Sequence, residues 1–151
     1  MLPHFFDSSP HLSEILLARN RLSRVNDGTF GLLTRLALLD LSRNSLMRLE
    51  DNVLVGMTVV HLDLGYNALR KMPCLPLRKL TNATTIVLDG NLFATLPSGA
   101  LHDVRVKFLS ISRNAHLARI DENAIRSMPD LQVCNVYATA PAIQSPELAN
   151  L

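Results

Sequence analysis

Asparagine recurs along this chain at a nearly constant interval. Its positions at Asn20, Asn44, Asn67, Asn91 and Asn114 are separated by 24, 23, 24 and 23 residues. The apolar residues around each one keep the same frame, which the stretch LALLDLSRNSL from residue 36 to residue 46 shows most fully. A fixed period of this length is typical of stacked units that bury their apolar faces only against one another. The sequence therefore predicts a repeat solenoid.

Each unit is predicted to contribute one short strand. Leu36, Leu39 and Leu41 have the spacing of inward side chains, whereas Leu38 and Asp40 are available to the other face. The predicted strands begin at Leu12, Leu36, Val59, Ala83, Val106 and Leu131. Six stacked rungs make a parallel sheet. The return legs are less regular, and their prolines discourage long helices. We therefore expect an α/β repeat solenoid, curved with its six-rung parallel sheet on the concave face and with irregular loops and short helical turns on the convex face.

The array is expected to span residues 1–139. Residues 1–11 align with the end of a later unit, because Leu2 precedes Leu12 as Leu96 precedes Val106, and are therefore expected to be the tail of a truncated repeat. The sixth unit carries Thr139 where asparagine belongs. Residues 140–151 keep little of the pattern and are expected to form a degenerate tail or a worn last repeat.

The recurring asparagine is predicted to be structural. After each strand the chain must turn inward, which leaves buried backbone groups in need of partners, and an amide side chain can both donate and accept hydrogen bonds. The five asparagines Asn20, Asn44, Asn67, Asn91 and Asn114 are therefore expected to form a ladder along the stack.

Three segments resemble the typical leucine-rich repeat of about 24 residues. They are residues 25–30 (VNDGTF) with Leu33, residues 39–44 (LDLSRN) and residues 96–101 (LPSGAL). This class is found mainly in extracellular animal proteins such as Toll-like receptors, adhesion proteins and small proteoglycans. The resemblance implies a ligand-recognition module from an extracellular or cell-surface receptor, adhesion or matrix protein. An intracellular scaffold or regulatory subunit in the cytoplasm stays open as the alternative, since the cysteine-rich caps of extracellular members are not visible.

Outward positions on successive rungs form columns, and their composition predicts a binding face. They combine apolar and aromatic groups with arginines, which are enriched in protein interfaces. The candidate binding residues are Leu38, Asp40, Arg43, His61, Asp63, Tyr66, Val87, Phe108, Arg113 and Val133. A protein ligand is expected, with a glycan as the alternative. Asp40 and Asp63 are expected to be lateral neighbours with a structural role, their charge offset by Arg43.

Other functions find no support in the sequence. The net charge is +2 without a basic cluster, so no nucleic-acid partner is expected. No apolar run approaches the length of a membrane span, so no membrane contact by this segment is expected. Nucleophile, acid–base and phosphate-binding motifs are absent, and the histidines and cysteines lack ligand spacing, so neither catalysis, a metal nor a cofactor is expected. Cys74 and Cys134 fall three rungs apart, too far for a disulfide.

Asn82 begins the triplet Asn82-Ala83-Thr84, an acceptor sequence for N-glycosylation that directly precedes the fourth strand. It is a candidate modification site that has meaning only for a secreted protein.

Overall fold

The computed structural model describes residues 4–126 and 128–137. Short strands alternate with loops, turns and two five-residue helices. The elements in chain order are β1 (Glu14–Leu16), β2 (Arg35–Asp40), β3 (Thr58–Asp63), α1 (Cys74–Arg78), β4 (Asn82–Val87), β5 (Thr95–Leu96), β6 (Val106–Ser110), β7 (Arg119–Ile120), α2 (Glu122–Arg126) and β8 (Val133–Asn135).

Six of these strands form one parallel sheet in the order β1-β2-β3-β4-β6-β8. Leu38 lies opposite Glu14 on one side and His61 on the other, and the same register continues to the last described strand. Each rung is therefore in step with the next, and the predicted six-rung parallel sheet is confirmed.

The core runs through the whole stack. Leu39, Leu62, Ile86 and Leu109 occupy equivalent inward positions on four successive rungs and are buried. The predicted inward residues of the return legs are buried as well: Val25, Phe30, Leu33, Leu49, Leu54, Met57, Met72, Leu77 and Leu80. Because each rung covers its neighbour, burial of apolar surface stabilises the stack as a unit.

Residues before β1 join this core. The ring of Phe6 is stacked on that of Phe30 with centroids 5.8 Å apart, and the backbone N–H of His4 donates to the carbonyl of Gly28 at 2.9 Å. Phe6 therefore lies against the next unit as the alignment of residues 1–11 suggested. The repeat boundary itself stays a prediction, and the suggested tail at residues 140–151, like Thr139, lies outside the described residues.

The asparagines link successive rungs by hydrogen bonds. The Asn67 amide donates to the carbonyls of Leu41 and Leu64, both at 3.0 Å, and its Oδ1 accepts from the N–H of Leu46 at 3.0 Å. Asn44 and Asn91 make the same contacts one rung away on either side. These side chains fill backbone hydrogen bonds that the turn leaves open.

The two ends of the asparagine series differ from its middle. Asn20 is exposed and donates only within its own loop, to the carbonyls of Leu17 and Ala18. The Oδ1 of Asn114 accepts from the N–H of Asn91 itself, whereas in the earlier rungs the donor is the second residue after the asparagine. The hydrogen-bond pattern therefore changes at Asn114, which is also where the sequence spacing to the next inward residue lengthens.

The return legs contain little regular structure, as expected. β5 and β7 form a separate two-stranded parallel sheet, and each described helix is a single short segment. Within the described part of the chain no helix has the length and apolar character to cross a membrane.

Candidate binding face

The outward side chains of the six-stranded sheet, with the residues at which each rung turns after its strand, form one continuous surface, here called the sheet face. Its first column runs through Glu14, Leu38, His61, Thr85, Phe108 and Val133, which are paired rung by rung. Phe108 and Val133 stand side by side at one end and remain 39% and 50% exposed. An aromatic and a β-branched side chain therefore present adjacent apolar surface to solvent.

The second column runs through Leu16, Asp40, Asp63, Val87, Ser110 and Asn135. Asp40 and Asp63 are lateral neighbours, as predicted. Partial burial raises the pKa of Asp63, and the charges of Asp40 and Asp89 raise it further, while the N–H of Gly65 and the nearby His61 oppose these effects. Two of the six positions in this column are thus acidic and adjacent, and the Asp63 carboxylate is poorly solvated.

These aspartates also support the turns that follow their strands. The Oδ1 of Asp40 accepts from the N–H of Ser42 at 2.9 Å, and that of Asp63 accepts from the N–H of Gly65 at 2.7 Å. Ser42 itself is buried at the turn. The described residues contain no group of three or more potential metal ligands among His, Cys, Asp and Glu.

The third column lies just beyond the strands, where the backbone of every described rung turns through a left-handed conformation. The φ angles are 57° at Arg19, 53° at Arg43, 54° at Tyr66, 62° at Gly90 and 56° at Arg113. Non-glycine residues adopt this region uncommonly. Here the turn is held by the ladder between rungs, since the N–H of Arg43, for example, donates to the carbonyl of Gly65 at 2.8 Å. Ala138, the next member, lies outside the described residues.

Three side chains of this column form a cluster, here called the Arg–Tyr cluster: Arg43, Tyr66 and Arg113. The Arg43 guanidinium lies over the Tyr66 ring, 4.5 Å from its centroid, and Arg113 Nη1 donates to Tyr66 Oη at 2.9 Å. That hydrogen bond also raises the pKa of Arg113, so the guanidinium stays protonated and positively charged. Arg43 had been expected to offset the charge of Asp40 and Asp63; its guanidinium lies over the aromatic ring instead, where a cation–π contact is available.

The glycine at position 90 makes this cluster possible. Tyr66 and Arg113 are two rungs apart, and the ring spans the intervening rung by lying directly on Gly90. A Cβ placed there would lie 2.6 Å from Tyr66 Cδ1 and 2.8 Å from Cε1. Only a residue without a side chain leaves the ring its present position.

All ten predicted binding residues lie on the sheet face. Leu38, His61, Phe108 and Val133 share the first column, Asp40, Asp63 and Val87 the second, and Arg43, Tyr66 and Arg113 the turn column. Three exposed apolar or aromatic residues on this face or beside it are not among the ten: Leu16 on β1, Val60 on β3 and Tyr137 after β8. The strand period could have placed Val60 on the outward side, because it directly follows the inward Val59. Tyr137 aligns with Ser42 and is exposed at the last described rung.

The remaining sequence candidates, Asn82 and the two cysteines, do not belong to the three columns of the sheet face. Asn82 is exposed at the first residue of β4. Both cysteines are free thiols, as predicted. Cys134 faces inward opposite Leu109, and burial raises its pKa to about 11.

A family model described as leucine rich repeat matches residues 10–70. Toll of Drosophila, solved in its complex with Spätzle in a glycosylated form, superposes with a TM-score of 0.79 at 29% identity and covers 91% of this chain and 19% of Toll. The chain is a leucine-rich repeat protein. Among sequence relatives, this leucine-rich repeat chain is 34% identical over 107 residues to keratocan of Bos taurus, an alignment that covers 68% of the chain and 30% of keratocan. It thus spans less than a third of that relative's length.

A second solved structure shows the fold alone. TLR13 in its complex with ssRNA13 superposes with a TM-score of 0.70 at 19% identity over 91% of this chain and 23% of TLR13. The leucine-rich repeat stack with its parallel sheet is therefore shared with two proteins that were solved with different ligands, Spätzle and ssRNA13. The fold by itself specifies no ligand.

Proposed function

We propose that this chain is a protein-recognition module of an extracellular receptor, adhesion or matrix protein, and that it binds its ligand on the sheet face. It acts by binding, without catalysis or a cofactor. The array of residues 1–139 serves as one recognition unit in this proposal, with the asparagine series as its support and the ten residues named above as its contact surface.

The adjacent pair Phe108 and Val133 is the observation that carries the proposal. Both side chains project from neighbouring strands of a rigid sheet, so little conformational freedom is lost when a partner covers them. Exposed aromatic and apolar side chains that lie next to each other are frequent anchors of protein interfaces. Asp63 fits the same interpretation, because a partly buried carboxylate near Asp40 and Asp89 is stabilised when a basic group of a ligand binds there.

The likeness to Toll and keratocan supports the extracellular assignment. Toll was solved with a protein ligand, Spätzle, and we carry that mode of use over to this chain as part of the proposal. The exposed N-glycosylation triplet at Asn82 favours a secreted protein. The free thiols of Cys74 and Cys134 favour the cytoplasmic alternative to a similar degree. Modification at Asn82 separates the two.

The experiment compares variants of the chain as baits against an array of extracellular and cell-surface proteins. The replacement pair Phe108→Ala and Val133→Ala removes the apolar anchors of the sheet face. Its matched control is Met47→Ala with Val55→Ala, which truncates two apolar side chains outside the sheet that are 66% and 61% exposed. A protein recovered by the wild type and by the control, but not by the sheet-face pair, supports the proposal. Equal recovery by both pairs contradicts it.

A further inference from the structure

The Arg–Tyr cluster behaves as one preorganised unit. Tyr66 is held between the Arg43 guanidinium and the backbone at Gly90, and its hydroxyl accepts from Arg113. Both guanidiniums are on exposed residues. Because the two contacts share one ring, the Arg43 and Arg113 guanidiniums lie within about 10 Å of each other, although their backbones are three rungs apart. Their remaining N–H donors are available to a ligand.

Next to the Arg–Tyr cluster lie the two carboxylates of the second column. Asp40 and Asp63 occupy adjacent rungs, and Arg43 follows Asp40 by three residues. The sheet face therefore carries two neighbouring groups of opposite charge, the aspartates on the strands and the arginines at the turns. A polyanion laid along the arginines would bring its charges close to the aspartates, which opposes binding of a nucleic acid or a sulfated polysaccharide. A protein segment that carries both acidic and basic side chains can pair with the arginines and with the aspartates.

We propose that Arg43 and Arg113, positioned by Tyr66 across Gly90, bind two carboxylates of an acidic segment in a protein ligand, while Asp40 and Asp63 bind a basic side chain of the same ligand. Arginine is suited to the first role because its planar fork pairs with a carboxylate through two hydrogen bonds. Tyr66 is a positioning residue here, since it fixes both guanidiniums before the ligand arrives. This inference rests on the proposed function and adds the chemical class of the ligand segment.

A displayed library of random peptides, selected on the full chain, provides the probe. The pool selected on the wild type is expected to be enriched in peptides with two acidic residues and at least one lysine or arginine. Selection on the variant with Arg43→Gln and Arg113→Gln is expected to lose the acidic bias, and selection on Asp40→Asn with Asp63→Asn the basic bias. Arg70→Gln is the matched control, because Arg70 is an exposed arginine outside the sheet. A wild-type pool without charge bias overturns the proposal.

Two single variants test the positioning role of Tyr66 without removing a charge. Tyr66→Phe keeps the ring and deletes only the contact to Arg113, and Gly90→Ala displaces the ring through its new Cβ. Each replacement is expected to lower the affinity for the best selected peptide about 3-fold to 10-fold. The double variant should lose no more affinity than the stronger of the two single variants. Unchanged affinity in both, with the fold retained by circular dichroism, contradicts the positioning role.

Further outcomes distinguish this inference from the proposed function beneath it. If the selected peptides are lost with Phe108→Ala and Val133→Ala but not with the arginine replacements, the sheet face binds and the acidic-segment proposal fails. If neither set of replacements reduces binding of the selected peptides, both the acidic-segment proposal and the sheet-face proposal fail. Heparin serves as a polyanion probe: retention on heparin that depends on Arg43 and Arg113, in the absence of acidic peptide selection, assigns the site to a sulfated polysaccharide and overturns the proposal.

Discussion

The side chains of Phe108 and Val133 lie directly opposite each other on neighbouring parallel strands, and both face solvent. In a parallel sheet such neighbours stand about 4.8 Å apart, so the two form one apolar patch. Fold requirements alone do not explain its exposure, because the inward positions of the same strands, Leu109 and Cys134, already supply the core. The patch is the part of the sheet face most readily assigned to a partner.

The buried asparagines are expected to dominate the stability of the turns. Asn67→Ala leaves the N–H of Leu46 without a partner in a buried site and removes one of the two amide donors to each of the carbonyls of Leu41 and Leu64, so it should lower the free energy of unfolding by about 2–4 kcal/mol. Asn20→Ala is the control, because Asn20 is exposed and bonds only within its own loop; its loss should stay below about 1 kcal/mol. Urea unfolding measures both, and equal losses contradict the ladder account.

Much of this architecture could be predicted from the sequence. The columns through Leu38 and Asp40 were right at every described rung, because a fixed repeat and a two-residue strand period together determine which side chains are neighbours. The Arg–Tyr cluster could not be predicted in this way. It depends on the path of the Tyr66 ring across Gly90, a side-chain conformation that no spacing rule specifies. The second sheet of β5 and β7 was also missed, because two-residue strands carry no periodic signal.

Asp63 is expected to lower stability at neutral pH. Burial raises its folded pKa above the ordinary value of 3.8, so its contribution to stability is fully present below about pH 4 and is lost as pH rises through the folded pKa. Asp63→Asn removes the charge and keeps an oxygen to accept from Gly65. The variant should therefore be more stable at pH 7, by less than about 1 kcal/mol because solvent screens this half-exposed group.

Denaturant titrations at pH 7 and pH 3.5 check this prediction, and the gain of Asp63→Asn should be largely gone at the lower pH. Asp40→Asn provides a comparison on the adjacent rung, where the same Asx-type contact to Ser42 is retained. A loss of stability for Asp63→Asn at pH 7 would mean that the Gly65 hydrogen bond outweighs burial.

Cys134 should be a sluggish nucleophile in the folded chain. Its pKa of about 11 leaves far less thiolate at pH 8 than an ordinary thiol has, so alkylation by iodoacetamide should be roughly 100-fold slower than in the unfolded chain. Mass spectrometry of the Cys134 peptide, with and without urea, measures the ratio. Similar rates in the two states would show that Cys134 does not lie in the core position described here.

Glycosylation at Asn82 tests the extracellular assignment. It is the only asparagine in an N-x-S/T triplet of this sequence, and it is exposed at the start of β4. Expression through the secretory route should add a glycan that is removed by an N-glycosidase and is absent from Asn82→Gln. The unmodified mass in the secreted wild type would remove this support for the extracellular assignment.

The central claim is that a protein ligand covers the sheet face, and hydroxyl-radical footprinting of the complex with a ligand recovered from the protein array tests it most directly. Tyr66 and Phe108 report the sheet face, while Met47 and Leu32 are exposed reporters outside the sheet. We expect oxidation of Tyr66 and Phe108 to fall several-fold on binding, with Met47 and Leu32 unchanged. Protection of Met47 and Leu32 with full oxidation of Tyr66 and Phe108 would contradict the account.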